Sequence, residues 1–301
     1  MAKQSIYEVI SNKVIEALKT NNVPWQKPWN FTKADPSTMA VNYDTQRPYN
    51  FLNQLFLGAG EYLTMTSVNK HNGKVKKGSH AKFAYAYFKR YIWPDGTMHS
   101  TPYDGAEKWD EDDNTRWCLT AYKVFNVLDC EGIEPHRRSS NTANATDTEE
   151  GLVIAAEDVV AKYIAKADGI TIERKKASDS AYYQPSTDYI QVPMRSQYKE
   201  SGEYYSTLFH EMAHSTGAEK RLNRKGITTP NFFGSHEYSK EELVAEMAAA
   251  MLCGACGVST KKTFTNSVAY LQSWAKALEK DSKLFVTASF QAEKAARYIY
   301  E

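Results

Sequence analysis

The stretch "STLFHEMAHSTG" (residues 206–217) sets two histidines four residues apart, with a glutamate directly after the first. Residues four apart share one face of a helix, so His210 and His214 can hold one ion through their imidazoles. Glu211 projects beside them, within reach of a proton on water whose pKa zinc lowers to roughly 7. The flanking residues fit a helix with one polar stripe. Tyr204, Tyr205, Leu208 and Met212 occupy its other sides, and Gly217 follows as a helix stop. Two histidines lining an ordinary polar helix face are the plainer alternative. Composition alone produces such a pentapeptide in a chain of this length about one time in a hundred, so the motif needs support from elsewhere.

A site that keeps one position open for water and substrate takes three protein ligands. Lys220 stands where the metzincin pattern has a third histidine, and His236 falls in a loop-like stretch before the next helix. The helix "SKEELVAEMAAAMLCG" (239–254) offers Glu242 and Glu246, again four apart. In the gluzincin arrangement the first carboxylate binds the metal and the second orients a ligand histidine, which assigns Glu242 to the ion and Glu246 to a histidine behind it. A capping box competes with this assignment: with Ser239 as N-cap, Glu242 is tied to its own helix end and Glu246 becomes the ligand. Cys253 and Cys256 form a lone C-x-x-C on the same helix. Without a second pair at matching spacing, they read as buried packing residues.

The 301 residues accommodate two domains, each with its own core. Hydrophobic residues at 42% and charged residues at 24% are ordinary for a folded, water-soluble protein. No run approaches eighteen apolar residues, which excludes a membrane partner on sequence grounds. The amphipathic start, "MAKQSIYEVISNKVIEALKT", puts Ile6, Ile10, Val14 and Leu18 on one face and reads as a folded helix rather than a secretion signal. Four cysteines make no disulfide framework in a chain this long, so a cytoplasmic location is predicted. "SSNTANATDTEE" (139–150) has no large apolar side chain and reads as a linker between domains at 1–138 and 151–301. Ahead of it, alternating runs at 82–93 and 117–129 predict strands. Behind it, a helix is followed by two strands in "GITIE" and "AYYQPSTDYIQVP", then by helices near 203–216, 239–253 and 266–300. The fold class is α+β.

Charge divides unevenly along the chain. Residues 1–90 carry 13 Lys and Arg against 5 Asp and Glu, a net of +8, while the remainder carries 24 against 31, a net of −7. A polyanion therefore meets the front half. Five of the six tryptophans also precede the linker: Trp25, Trp29, Trp93, Trp109 and Trp117. Aromatic platforms beside Lys and Arg suit single-stranded nucleic acid, whose bases stack for about 1–3 kcal/mol each. The candidate contacts are Trp25, Lys27 and Trp29 in "VPWQKPWNF", Arg47 and Tyr49 in "TQRPYNFLN", and Lys74, Lys76, Lys77 and Lys82 in "NGKVKKGSHAKFAYAYFKR". Trp117 and Phe125 are assigned to the core. Basic loops without a partner remain an equal alternative on composition alone.

Taken together these segments resemble the ArdC-type antirestriction proteins of plasmids and other mobile elements. The likeness runs through "VPWQKPWN", "AVNYDTQRPYNFLNQLFL" and "VKKGSHAKF" in front, and "AYYQPSTDYIQVP", "HEMAHSTGAEKRLNR" and "EELVAEMAAAMLCGACG" behind. The front is also similar to the N-terminal part of TraC-type conjugative primases. The resemblance implies an N-terminal α+β domain that binds single-stranded DNA, fused to a zincin-like metallopeptidase domain of gluzincin type. It further implies Zn2+ as cofactor, with Mn2+ or another divalent ion able to replace it in vitro, and protection of incoming DNA from host restriction. His210, Glu211 and His214 fall on the family's metal motif, and Glu242 and Glu246 on its acidic helix. Ser215 and Ala218 depart from the Trp and His that often flank the Thr-Gly of that motif. The protein substrate is unknown, with a host restriction component one candidate. Two other readings stay open: a non-catalytic protein that coats single-stranded DNA and carries a structural or vestigial metal domain, and a protease that trims proteins attached to DNA.

Overall fold

Helix α1 (Ile6–Lys19) opens with a reciprocal cap: Glu8 N–H donates to Ser5 Oγ at 3.2 Å, and Ser5 N–H donates to Glu8 Oε2 at 2.6 Å. Its buried stripe is Ile10, Val14, Ile15 and Leu18. The computed structural model describes residues 4–20, 22–26, 37–105, 113–136, 148–176, 178–229, 235–258 and 268–301. After α1 and a 3₁₀ turn at Pro24–Gln26 come β1 (Ala40–Asn42), α2 (Phe51–Leu57), β2 (Gly60–Thr64), α3 (Met65–Lys70), β3 (Lys74–Val75), β4 (Lys82–Ile92), β5 (Met98–His99), β6 (Thr115–Asn126) and β7 (Cys130–Glu131). The rear half comprises α4 (Glu149–Lys166), β8 (Thr171–Lys175), β9 (Tyr182–Gln184), β10 (Tyr189–Pro193), α5 (Ser201–Ser215), α6 (Lys225–Thr228), α7 (His236–Ala255), α8 (Val268–Lys280) and α9 (Leu284–Tyr300). None of these helices is long and apolar enough to cross a membrane.

The front sheet runs β1-β2-β6-β4-β5, with β1 and β2 parallel and the other pairs antiparallel. Two consecutive amides on α2 serve the backbone of strands β4 and β1. Tyr85 N–H donates to Asn53 Oδ1 at 2.5 Å, and Asn53 Nδ2 donates to Tyr85 O at 2.7 Å. Ala40 N–H donates to Gln54 Oε1 at 2.7 Å, and Gln54 Nε2 donates to Ala40 O at 2.8 Å. β1 is an edge of the sheet, and β4 is paired with β5 only at Tyr91 and Ile92, so each buried amide supplies hydrogen bonds to strand backbone that lacks a neighbour there.

The two halves do not bury separate cores. A single hydrophobic cluster joins Ile10, Val14, Trp25 and Phe51 of the front to Tyr163, Phe209, Leu243, Trp274 and Phe285 of the rear. Among the described residues the front keeps smaller clusters of its own, around Phe125 and around Tyr62. The amphipathic stripe of α1 finds its partners on α8 and α9, which explains why an N-terminal helix completes a C-terminal core. In the rear sheet β10 lies between β8, which is parallel to it, and β9, which is antiparallel. Helices α7 and α9 pack against each other, and each carries fully buried alanines (Ala245, Ala248 and Ala249 on α7, Ala288, Ala292 and Ala295 on α9), small residues that suit a close approach of axes.

Two boundaries differ from the sequence reading. The region read as helix near 266–300 breaks at Asp281–Lys283 into α8 and α9. Of the segment read as linker, residues 139–147 lie outside the described residues, as does Trp109. Gly151 N–H donates to Thr148 Oγ1 at 3.1 Å, so Glu149 and Glu150 form the first turn of α4 instead of ending a linker. Cys253 and Cys256 are buried free thiols, and burial pushes both above their ordinary pKa, Cys256 to about 12.

Candidate metal centre and nucleic-acid interface

Helix α5 is buried through Tyr204, Tyr205, Leu208, Phe209 and Met212, which turns His210, Glu211 and His214 toward a cleft of about 420 Å³. Ala181, Tyr182 and Tyr183 of the outer-strand region, Ile227 of α6, and Tyr238 and Glu242 of α7 complete the walls. Helix α5 ends at Ser215 with Thr216 as its cap in right-handed conformation, so Gly217 is not a left-handed stop. Its missing side chain serves proximity instead: a Cβ there would sit 2.6 Å from Ile227 Cγ1 and 3.0 Å from Arg224 Nη2.

His210, His214 and Glu242 offer ligand atoms that all lie within 4.8 Å of one another. The two Nε2 atoms are 3.0 Å apart, and each is 3.5 Å from a different oxygen of Glu242. Ligands about 2.0–2.1 Å from a tetrahedral ion are separated by about 3.3–3.4 Å, so these three donors have the spacing such an ion requires. Their surroundings suit a dication as well. Glu211, Glu241, Glu242 and Glu246 surround the two imidazoles, Arg224 is the cation on the inner side, and Glu246 Oε2 is buried without a partner among the described residues.

Helix α7 starts at His236 with Ser235 as its N-cap, Tyr238 N–H donating to Ser235 Oγ at 3.2 Å. The capping box proposed at Ser239 is thereby overturned: the helix begins one turn earlier, and Glu242 lies in its interior, free to face the histidines. His236 likewise belongs to the first turn rather than to a loop.

Behind the donors stand two carboxylates. Glu246 Oε1 is 3.9 Å from His210 Nδ1, and Glu241 Oε1 is 3.3 Å from His214 Nδ1. An Nδ1–H donated outward leaves the Nε2 lone pair facing the cleft. Burial disfavours charge on His210, but the hydrogen bond with Glu242 and the carboxylates of Glu246 and Glu211 outweigh it and raise its pKa to about 10. Burial works against ionised Glu242 too. Its hydrogen bond with His210, the charge of His214 and a hydrogen bond from Tyr238 hold its pKa down to about 2. Glu246 is pushed up, chiefly by burial.

Glu241, Arg224 and Tyr238 were not singled out from the sequence. Arg224 grips Glu241 at both oxygens, 2.9 Å from Nε and 2.6 Å from Nη2, and also donates to Thr216 Oγ1 at 2.7 Å and Ala213 O at 2.8 Å. Helices α5 and α7 are thus tied together behind His214. A usable signal existed for Tyr238, which precedes Glu242 by four residues on one helix face. Arg224 had none, because its reach depends on how the loop after α5 turns back.

The nucleic-acid candidates separate into distinct groups. Trp25 is fully buried, stacked edge-on against Trp274 at 5.5 Å and tilted against Phe285 at 5.8 Å, so it is a core residue and not an exposed stacking platform. Its Pro-flanked 3₁₀ turn tucks the indole beneath α8 and α9. Lys27 and Trp29 lie outside the described residues. Arg47, Lys74, Lys76 and Lys77 are exposed, with Lys76 Nζ donating to Leu128 O at 2.8 Å. Lys82 is engaged by the fold: its Nζ donates to Leu57 O and to Tyr62 Oη and lies 5.4 Å from the Tyr62 ring centre. Tyr49 is half-buried against Tyr62. Phe125 is in the core as predicted, but Trp117 is 44% exposed and reverses the assignment made for it.

Residues 4–125 match the N-terminal domain of anti-restriction factor ArdC, and residues 159–291 match a zincin-like metallopeptidase family. Two Escherichia coli proteins described as DNA primase TraC are 30% and 29% identical over 99% of this chain, which spans only 20% and 27% of their lengths. A Sinorhizobium fredii protein, y4eC, is 25% identical over 98% of this chain and 91% of its own length. Among solved structures, the antirestriction protein ArdC of plasmid R388 has TM-scores of 0.67 in its metal-free form and 0.66 in its Mn(II)-bound form. Both share 24% identity and cover 98% of this chain and 97% of that one, which shows a common fold. The chain thus matches an ArdC N-terminal domain in front and a zincin-like metallopeptidase domain behind, and it shares the ArdC fold over both.

Proposed function

We propose that this chain binds single-stranded DNA and hydrolyses peptide bonds in a protein substrate in the cytoplasm, as part of protecting incoming DNA from restriction. The observation that carries the peptidase reading is the convergence of His210, His214 and Glu242 at ligand spacing on a cleft that Glu211 shares. A divalent ion held there, zinc by preference for two imidazoles and a carboxylate, supplies a Lewis acid for the substrate carbonyl and acidifies water to a pKa of roughly 7. Glu211 then receives the proton of the attacking water and returns it to the leaving amine. Glu241 and Glu246 fix the two imidazoles, and Tyr238 steadies Glu242. The outer strand β9 forms one wall, which suits an extended peptide laid alongside it. Exposed Arg47, Lys74, Lys76 and Lys77 support the nucleic-acid part, since such side chains track phosphates.

Glu211→Gln tests this reading. It keeps the metal donors and removes the base, so restriction protection in cells should fall while DNA and metal binding persist. Full protection by Glu211→Gln would instead favour the non-catalytic DNA-coating role.

A further inference from the structure

Lys89 pairs with Trp117 and Tyr87 with Leu119 in the β4–β6 ladder, so Tyr87, Lys89 and Trp117 share one face of the sheet. The rings of Trp117 and Tyr87 stack at 4.8 Å with 15° between their planes. Tyr87 stacks in turn on Phe290 of α9 at 4.6 Å and 27°. Tyr87 stacks on one side of the indole, and Trp117 as a whole remains 44% exposed. Two ammonium groups lie over that ring, Lys89 Nζ at 5.8 Å and Lys294 Nζ at 5.5 Å from its centre, where an arriving base and its phosphates can draw them aside. One comes from the front sheet and the other from the C-terminal helix.

An exposed indole attended by two cations matches a nucleobase joined to its phosphates: the base stacks and the ammonium groups meet the backbone. An acidic peptide would use the lysines and leave the indole idle. Lys294 also lines a neighbouring cavity of about 500 Å³ with Arg224, Lys225 and Lys240, whose acidic members are Glu237 and Glu241. Four cations against two carboxylates leave this wall positive, and Gly226 and Glu241 belong both to it and to the metal cleft. We propose that Trp117, backed by Tyr87 and Phe290, forms a base-stacking platform for single-stranded nucleic acid, with Lys89 and Lys294 on its phosphates. The binding surface is then completed by α9 and runs toward the metal cleft instead of ending in the front half. This rests on the nucleic-acid reading above and gives it a location.

The test uses the full chain and fluorescent oligothymidylate, followed by anisotropy over a range of salt. Trp117→Ala should weaken binding roughly 5- to 150-fold, the loss of one stacked base, with the salt slope unchanged. Trp117→Phe should recover most of that. Lys294→Ala should weaken binding and flatten the slope of log affinity against log salt by about 0.7, one phosphate's worth. Oligouridylate in parallel separates RNA from DNA as the ligand, and whichever binds more tightly must show the Trp117 dependence. In the unaltered chain, light-induced attachment of a 5-iodouracil strand should fall on peptides containing Tyr87, Trp117 or Phe290. Parental affinity in both Trp117→Ala and Lys294→Ala, or attachment confined to the Lys74–Lys77 region, overturns the platform while leaving nucleic-acid binding intact. Absence of binding by the parent overturns both.

Discussion

Replacing Arg224 by methionine perturbs the metal centre without touching a donor. Arg224 and Glu241 are both about 5% exposed and joined through two hydrogen bonds, so the substitution leaves a carboxylate buried without its cation. Breaking a buried pair from one side costs about 3–5 kcal/mol. A chain of 301 residues has an unfolding entropy near 0.6 kcal/mol per degree at its midpoint, so the melting temperature should fall by roughly 5–8 °C. Glu241 also orients His214, and losing such an orienting partner weakens metal binding by about 10–100-fold. Circular dichroism melts and zinc titrations read the two effects separately. Adding Glu241→Gln should recover much of the stability, because a neutral amide needs no cation, yet should leave zinc affinity low. A melt of Arg224→Met within 1–2 °C of the parent (about 1 kcal/mol or less), with parental zinc affinity, would show that the pair neither carries a buried charge nor holds the histidine.

Trp25→Ala should destabilise the chain by about 3–5 kcal/mol in urea unfolding, since it empties a fully buried site between the halves; a loss under about 1 kcal/mol would mean the indole is not core. Asp188 gives a pH test. Burial opposes its charge, but hydrogen bonds from Arg221, Lys220 and Tyr183 hold its pKa below the ordinary 3.8. A carboxylate with a depressed folded pKa contributes stability above about pH 4 and loses it as the pH falls through the folded value. Asp188→Asn should therefore be less stable than the parent at pH 7, with the difference shrinking as the pH falls below about 4. A gap that stays constant would contradict the account.

Local patterns disclosed much of this molecule. The four-residue spacings of His210 with His214 and of Glu242 with Glu246 project onto single helix faces, and β4 and β6 alternate as strands do. What stayed hidden depends on long-range packing. Trp25 sits among polar and proline neighbours that suggest a surface loop, but the partners that bury it lie some 250 residues later, at Trp274 and Phe285. Trp117 has the converse history: its strand is regular, but among the described residues its side chain is left 44% exposed. Ser235 and Ser239 are both good N-caps locally, and the extra turn of α7 decides whether Glu242 is spent on a helix end or faces the histidines. Arg224 reaches Glu241 only because Gly217 and Gly226 let its loop lie against both helices.

Calorimetric titration of Zn2+ into the metal-stripped protein reads the site itself, with His214→Ala, Glu242→Ala and Glu246→Ala measured beside the parent. One ion should bind per chain, with severe loss of binding in His214→Ala and Glu242→Ala and a milder loss of about 10–100-fold in Glu246→Ala. A parent that binds no ion, or a Glu242→Ala variant that binds as tightly as the parent, would contradict this assignment.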